Sequence, residues 1–271
     1  MVTWHYSNAM RNAELERGRY LVEAVMACDS CHTPRGPNGL DMTRRFSGGT
    51  EVWDTAYFRV RGSNISGDDE TGIGAWSESD LKRLLTQGIR PDGRRVASQM
   101  PSLLYSALTS DDLDAVVRFV KSAPAVRNKV ELPIYKQEGY AGPAIQPRPA
   151  AAIMSADPAV QRGAYLGSLA YCMACHARRP DGRVDLANWA GKGGFRMVGS
   201  FGEVVVPNIT SDPTIGLKSW SDAEIARALF EGVGRDGRHF KLPMARQIFY
   251  RRMTQKDQAA LVAWVRSLPP R

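Results

Sequence analysis

Cys28-Asp29-Ser30-Cys31-His32 and Cys172-Met173-Ala174-Cys175-His176 share one pattern, C-x-x-C-H, and together use every cysteine of the 271-residue chain. None is left for a structural disulfide. The two stretches lie 144 residues apart, and the match continues outward from them. Asn64 and Asn208, Trp76 and Trp220, Asp92-Gly93 and Asp236-Gly237, and Met100 and Met244 keep that separation. Toward the outer ends it becomes 145: Arg17-Gly18-Arg19-Tyr20-Leu21 answers Arg162-Gly163-Ala164-Tyr165-Leu166, and Phe119-Val120-Lys121-Ser122 answers Trp264-Val265-Arg266-Ser267. A repeat of this kind decides architecture before any local pattern does. It predicts two copies of one domain in tandem, 1–124 and 157–271. Residues 125–156, with Ala141-Gly142-Pro143 and Pro147-Arg148-Pro149, read as a Pro-rich, extended and semi-rigid connector.

Each copy reads as helical, and the expected fold class is all-α. One helix ends just before each cysteine motif, over about 11–27 and 158–171. A second begins after Ser77 and Ser221, where Ser221-x-x-Glu224 forms a capping box and Ser77-x-x-Asp80 a weaker one. A last helix covers about 110–122 and 255–267, with Leu113, Val116, Val117 and Val120, and Leu261, Val262 and Val265, at helical spacing. The segments between show few alternating apolar runs, so strand content should be low.

C-x-x-C-H is the attachment signature of haem c. Two thiols one helical turn apart can reach the two vinyl groups on one porphyrin edge and form thioethers. The adjacent His then presents a ring nitrogen to iron. A zinc site of four cysteines needs its pairs close in space and needs no His after each pair. A thioredoxin-like site needs a βαβ context and a single pair. Two equivalent motifs favour two haems c, attached at Cys28 and Cys31 and at Cys172 and Cys175, with His32 and His176 on iron.

The opposite ligands are expected from the ten methionines, although Met is more often core filler. Met100 and Met244 each lie 68 residues after their His, and each adjoins a proline, Pro101 or Pro243. Met26 and Met173 sit too near the attachment motif to reach the far haem face, and Met42, Met197 and Met253 have no counterpart in the other copy. His239 is the rival in the second half, but its counterpart is Arg95. His/Met ligation fills all six positions and raises the reduction potential relative to harder ligand sets. It leaves no place for substrate on iron, so the expected chemistry is one-electron transfer and the chain is not expected to be an enzyme itself.

Other paired residues have two readings. Gly18 and Gly163 suit a close helix crossing against Phe119 and Trp264. Trp76 and Trp220 read as core or haem-wall residues rather than electron conduits. Arg94 and Arg238 follow an Asp-Gly turn and could meet haem propionates or lie exposed.

Asn208-Ile209-Thr210-Ser211-Asp212, Gly216, Trp220-Ser221, Asp236-Gly237-Arg238 and Pro243-Met244 resemble the cytochrome c subunits of bacterial periplasmic dehydrogenases, which accompany alcohol, gluconate, sorbitol and aldehyde dehydrogenases and some molybdenum hydroxylases. Asn64-Ile65-Ser66, Thr71-Gly72-Ile73-Gly74, Trp76-Ser77 and Met100-Pro101 carry the pattern in the first half. The resemblance implies class I cytochrome c folds with His/Met haems and a periplasmic location. It also implies a dehydrogenase catalytic subunit as electron donor and a cytochrome, oxidase or quinone system as acceptor. Many such subunits add a third C-x-x-C-H domain and a membrane-binding helix. This chain stops at Arg271 after the second domain's last helix, so a soluble complex or soluble acceptor is the expectation.

No apolar run approaches the eighteen or so residues of a transmembrane helix. The start, Met1-Val2-Thr3-Trp4-His5-Tyr6, lacks the basic-then-apolar pattern of a secretory signal, as expected of a processed or recombinant form. The net charge of +8 is uneven: residues 157–271 hold 17 Lys/Arg against 10 Asp/Glu, and residues 1–124 hold 15 against 16. A basic half favours steered encounter with acidic partners. The expectation is that the first domain docks on the dehydrogenase and the second delivers electrons to an acidic acceptor. No nucleic-acid recognition motif appears. A freely diffusing dihaem carrier fits the same motifs. So does a dihaem enzyme such as a peroxidase or thiosulfate dehydrogenase, but that needs a replaceable ligand on one haem.

Overall fold

The computed structural model describes residues 2–136, 155–199 and 201–271. The chain divides into two compact units, Met1–Pro149 and Ala150–Arg271. The first begins with helix α1 (Val2–Tyr20), which runs into a π-helical turn over Leu21–Val25. The attachment motif forms the short helix α2 (Asp29–His32). Helices α3 (Glu78–Gln87), α4 (Ser102–Tyr105) and α5 (Ser110–Lys121) follow. The second unit repeats the scheme with α6 (Pro158–Leu169), α7 (Cys172–His176), α8 (Asp222–Phe230), α9 (Gln247–Tyr250) and α10 (Gln255–Ser267).

The first and last helices of each unit cross closely, at the expected glycines. A Cβ on Gly18 would sit 2.1 Å from the Ala115 carbonyl oxygen and 2.7 Å from Phe119 Cβ; on Gly163 it would sit 1.9 Å from the Ala260 oxygen and 2.6 Å from Trp264 Cβ. Only a residue without a side chain permits such an approach. Beside each glycine an arginine forks onto an aspartate of the last helix. Arg17 Nε and Nη2 donate to Asp112 at 2.7 and 2.8 Å, and Arg162 does the same to Asp257 at 2.8 Å twice. Both aspartates are buried, and their backbone N–H groups are capped by Thr109 and Thr254. Two-point carboxylate–guanidinium pairing fixes orientation as well as distance, so each crossing is set by a glycine and an ion pair together.

Ser77 and Ser221 form complete capping boxes with Asp80 and Glu224. They start α3 and α8 and satisfy donors that the first helical turn leaves open. In the first unit Ile73, Leu81 and Val117 form a buried cluster, with Trp76, Leu85 and Val120 packed on it. Trp76 is thus partly buried against this core, with the Arg90 guanidinium 5.0 Å from its ring centre.

The all-α expectation is not met. Among the described residues three small antiparallel sheets accompany the helices, and the chain is 38% helix and 11% strand. In the first unit β1 (Arg35–Gly36) pairs with β2 (Gly39–Leu40), and β3 (Val52–Asp54), β4 (Phe58–Arg61) and β5 (Ile134–Tyr135) form a three-stranded sheet. In the second unit β6 (Arg196–Gly199) pairs with β7 (Gly202–Val205). These hairpins occupy the long stretch between attachment motif and capped helix. Backbone donors and acceptors there need partners once the loop folds back, and Val52, Phe58 and Val60, or Val198, Val204 and Val205, suit a pleated surface.

Residues 125–136, the start of the stretch expected to connect the domains, pack on the first unit. Strand β5 extends its sheet, Asn128 Nδ2 donates to Ser47 O at 2.7 Å, and the Tyr135 hydroxyl donates to Arg95 O at 2.8 Å. The proline-rich segments Ala141-Gly142-Pro143 and Pro147-Arg148-Pro149 lie outside the described residues. No described helix is long and apolar enough to cross a membrane.

Candidate metal centres

Each C-x-x-C-H motif is a single helical turn entered through a left-handed residue that is not glycine: Ala27 at φ +52° and Tyr171 at φ +46°. Such a conformation is costly for a side-chain-bearing residue and persists where surrounding structure enforces it, often at functional sites. Here it separates the preceding helix from the turn, at equivalent positions in both units. The four cysteines carry no disulfide and are half-buried. The attachment turn also tolerates no bulk opposite it in the first unit. A Cβ on Gly62 would sit 1.7 Å from the Cys31 carbonyl oxygen, and one on Gly49 2.0 Å from it.

His32 and His176 are held in the same way. His32 Nδ1 lies 2.8 Å from Ser63 O, and His176 Nδ1 lies 2.9 Å from Pro207 O. A carbonyl can only accept, so Nδ1 carries the hydrogen and the Nε2 lone pair is left for a metal. Asn64 and Asn208 follow these carbonyls directly and brace the loops that bear them. Asn64 Oδ1 accepts from Ser66 N at 2.9 Å while its Nδ2 donates to Val126 O at 2.9 Å; Asn208 Oδ1 accepts from Thr210 N at 2.7 Å while its Nδ2 donates to Arg271 O at 2.7 Å. The sequence marks both asparagines as paired but gives them no task; the task is to position a backbone carbonyl.

Burial pulls both imidazoles below their ordinary range, opposed by the Ser63 carbonyl and Asp29 for His32 and by the Pro207 carbonyl for His176. They are neutral at neutral pH, the form that binds metal. Burial pushes the Cys28 thiol far up, with Asp29 and Cys31 adding and Arg45 opposing. The Cys172 thiol is pushed up to about 12 by burial, with Cys175 adding. Zinc ligation and disulfide exchange use thiolates, which reactive sites secure by depressing the thiol pKa; these environments do the reverse. Among the described residues no three His, Cys, Asp or Glu side chains cluster as a metal site. The donor set in each unit is thus two cysteines free of disulfides and one neutral imidazole with a fixed tautomer, and it fits haem c.

Met100 and Met244 are half-buried and occupy matching turns. Each N–H donates to the carbonyl three residues back, Ala97 at 3.0 Å and Lys241 at 3.1 Å, and each carbonyl accepts from the N–H two residues on, at 2.9 and 2.7 Å. Buried Ser102 ties the first turn to α3 through Leu84 O at 3.0 Å. The rival His239 is exposed, on a bridge to Val233 matched by Arg95 and Ile89 in the first unit. Arg94 and Arg238 are exposed and pair with the aspartates of their own turns, Asp92 at 2.6 Å and Asp236 at 3.8 Å.

The attachment turns differ in what lies beneath them. In the first unit Asp29, inside the motif, is 3% exposed. It accepts from Arg45 Nε at 3.0 Å and Nη2 at 2.8 Å and from Thr33 Oγ1 at 2.6 Å, while Arg45 Nη1 reaches Glu23 at 2.8 Å. The matching residues in the second unit are Met173, Trp189 and Ala177, with Met173 and Ala177 buried. There Arg178, matching Pro34, donates from Nε to Ala174 O at 2.9 Å.

Twin helical turns of the C-x-x-C-H type, each with its imidazole locked by a downstream carbonyl, are an arrangement that suits c-type cytochromes. Comparison with known proteins points to one group of them. The chain is 28% identical over 94% of its length to the fructose dehydrogenase cytochrome subunit of Gluconobacter japonicus, covering 52% of that protein. It is 29% identical over 81% of its length to the cytochrome c subunit of the quinone alcohol dehydrogenase of Gluconobacter oxydans, covering 47% of it. It is 33% identical over 42% of its length to a diheme cytochrome c-type of Cereibacter sphaeroides, covering 36% of it. No protein-family model matches. The chain is related to the cytochrome c subunits of bacterial dehydrogenases, and it spans about half the length of the first two relatives.

Proposed function

We propose that the chain is a dihaem electron-transfer subunit that takes electrons from the catalytic subunit of a periplasmic dehydrogenase, with catalysis on that partner. The duplicated imidazole lock, Ser63 O on His32 and Pro207 O on His176, supports this reading most directly. Cys28 and Cys31, and Cys172 and Cys175, would form the thioethers. His32 and His176 would hold one face of each iron, and Met100 and Met244 the other. Bound haem c supplies a one-electron ferric–ferrous couple. The protein's own work is to fix imidazole orientation through the carbonyls, to hold thioether soft ligands on braced turns, and to limit water through the apolar packing of α1 with α5 and α6 with α10.

Dehydrogenase cytochrome relatives support a dehydrogenase donor. The basic second half suits an acidic acceptor, a cytochrome or oxidase: Lys241, Arg251, Arg252 and Lys256 flank the Met244 turn and are exposed, and no carboxylate pairs with them among the described residues.

The test is the full chain matured with haem in a periplasm. Mass analysis should find one haem on each cysteine pair, and the reduced protein should show no spectral change with carbon monoxide at neutral pH. Absence of covalent haem overturns the proposal. Carbon monoxide binding at either haem removes the Met assignment there and favours a dihaem enzyme.

A further inference from the structure

We propose that the charges built beneath the two attachment turns, Asp29 with Arg45 and Glu23 in the first unit and Arg178 in the second, set the first site at a lower reduction potential than the second. This rests on the haem c reading above and adds an order that the motifs do not carry.

The duplication makes each unit the control for the other. Both units share the cysteines, the imidazole lock and the methionine turn, so these do not separate the sites. The charges at the two turns do. The first turn encloses a carboxylate at its second position, and the cluster of Asp29, Glu23 and Arg45 holds two negative groups against one positive. Arg45 cannot swing toward the site, because it is held by both carboxylates and lies over Phe46 at 4.4 Å and Phe119 at 5.6 Å. The second turn has Met173 at the position of Asp29. Its neighbouring charge is the guanidinium of Arg178, hydrogen-bonded to Ala174 O inside the motif and to Gly182 O at 3.1 Å, and lying over Phe195 at 5.3 Å.

Ferric haem carries one more positive charge than ferrous haem. A fixed negative charge nearby therefore favours the oxidised form and a fixed positive charge the reduced form, and the effect grows where water is excluded. One electron added per molecule then resides at equilibrium on the second site, leaving the first oxidised.

The experiment is spectroelectrochemical titration of the full-length holoprotein and two variants. Wild type should show two resolved midpoints. Asp29→Asn, which keeps an oxygen acceptor for Thr33 and Arg45, should raise only the lower one. Arg178→Gln should lower only the upper one, so each change narrows the gap. Coincident wild-type midpoints, a shift of the other midpoint, or a shift of opposite sign overturns the proposal. If Asn at position 29 abolishes the first attachment, the haem that peptide mass locates on Cys172 and Cys175 must titrate at the upper wild-type midpoint; titration at the lower one overturns the proposal. Wild type without covalent haem would refute the functional reading itself, a distinct outcome.

Discussion

The first attachment turn rests on an ion-pair network and the second on methionine and alanine, yet the two turns present their imidazoles alike. Asp29, Thr33 and Arg45 give way to Met173, Ala177 and Trp189, while His32 and His176 keep a carbonyl 31 residues downstream at 2.8 and 2.9 Å. The left-handed entry at Ala27 and Tyr171 is kept too. What both halves retain is geometry that acts on the imidazoles. What differs is the material that supports it. A buried charge pair is costly to assemble and gives little net stability over well-packed apolar groups, so folding alone does not explain the network in one half. Its distinguishing effect is electrostatic.

The sharpest way to break the comparison is to remove one half's cysteines. Cys28→Ala with Cys31→Ala should leave half the covalent haem per chain, and Cys172→Ala with Cys175→Ala the other half, read as pyridine haemochrome absorbance. Loss of both haems from either variant would show that the units do not mature independently. Next come the forks between first and last helix. Asp112→Ala and Asp257→Ala each strand a partly buried arginine and should cost about 2–4 kcal/mol in denaturant unfolding. The costs should agree between halves, because the forks match within 0.1 Å. Gly18→Ala and Gly163→Ala push a methyl group against a backbone carbonyl and should each cost about 1–3 kcal/mol. A markedly smaller cost in one half would mean that its helices can part. The smallest effect belongs to the surface. Arg251→Gln with Arg252→Gln should leave stability unchanged and weaken the salt dependence of electron delivery to an acidic acceptor. An unchanged salt slope excludes that patch from docking.

Much of this was legible in the residues because it is carried by side-chain identity at fixed spacing. The cysteine–histidine motifs, the capped helices after Ser77 and Ser221 and the tight crossings at Gly18 and Gly163 each have a residue type that few others can replace. The hairpins were missed because β3, β4, β6 and β7 are three or four residues long, too short for alternation to register. The imidazole lock was missed for a different reason: its acceptors are main-chain carbonyls of Ser63 and Pro207, and any residue supplies a carbonyl. Their only trace is the paired asparagine one position on. The left-handed Ala27 and Tyr171 lack the glycine that usually announces such a conformation. Asp112 and Asp257 did leave a mark, each three residues after a threonine and 95 after the paired arginine, and the repeat contains it. Asp29 and Arg45 occur in one copy alone, where no internal comparison could flag them.

The π-helical turn at Leu21–Val25 bears on how the two units could be recombined. Arg17 precedes Cys28 by 11 residues, whereas Arg162 precedes Cys172 by 10, and the second unit regains the missing residue after Met244. The turn absorbs the surplus residue as a local widening of the helix. A regular helix would instead rotate everything beyond it by about 100°. A chimera spliced between the arginine and the cysteines, or between the methionine and the last helix, inherits one adjustment without the other. Its outer helices would meet one residue out of register, with the glycine facing away from its carbonyl. Splice points outside Arg17 and Asp112, and outside Arg162 and Asp257, keep both adjustments together, so these residues mark the smallest segment that can be exchanged whole.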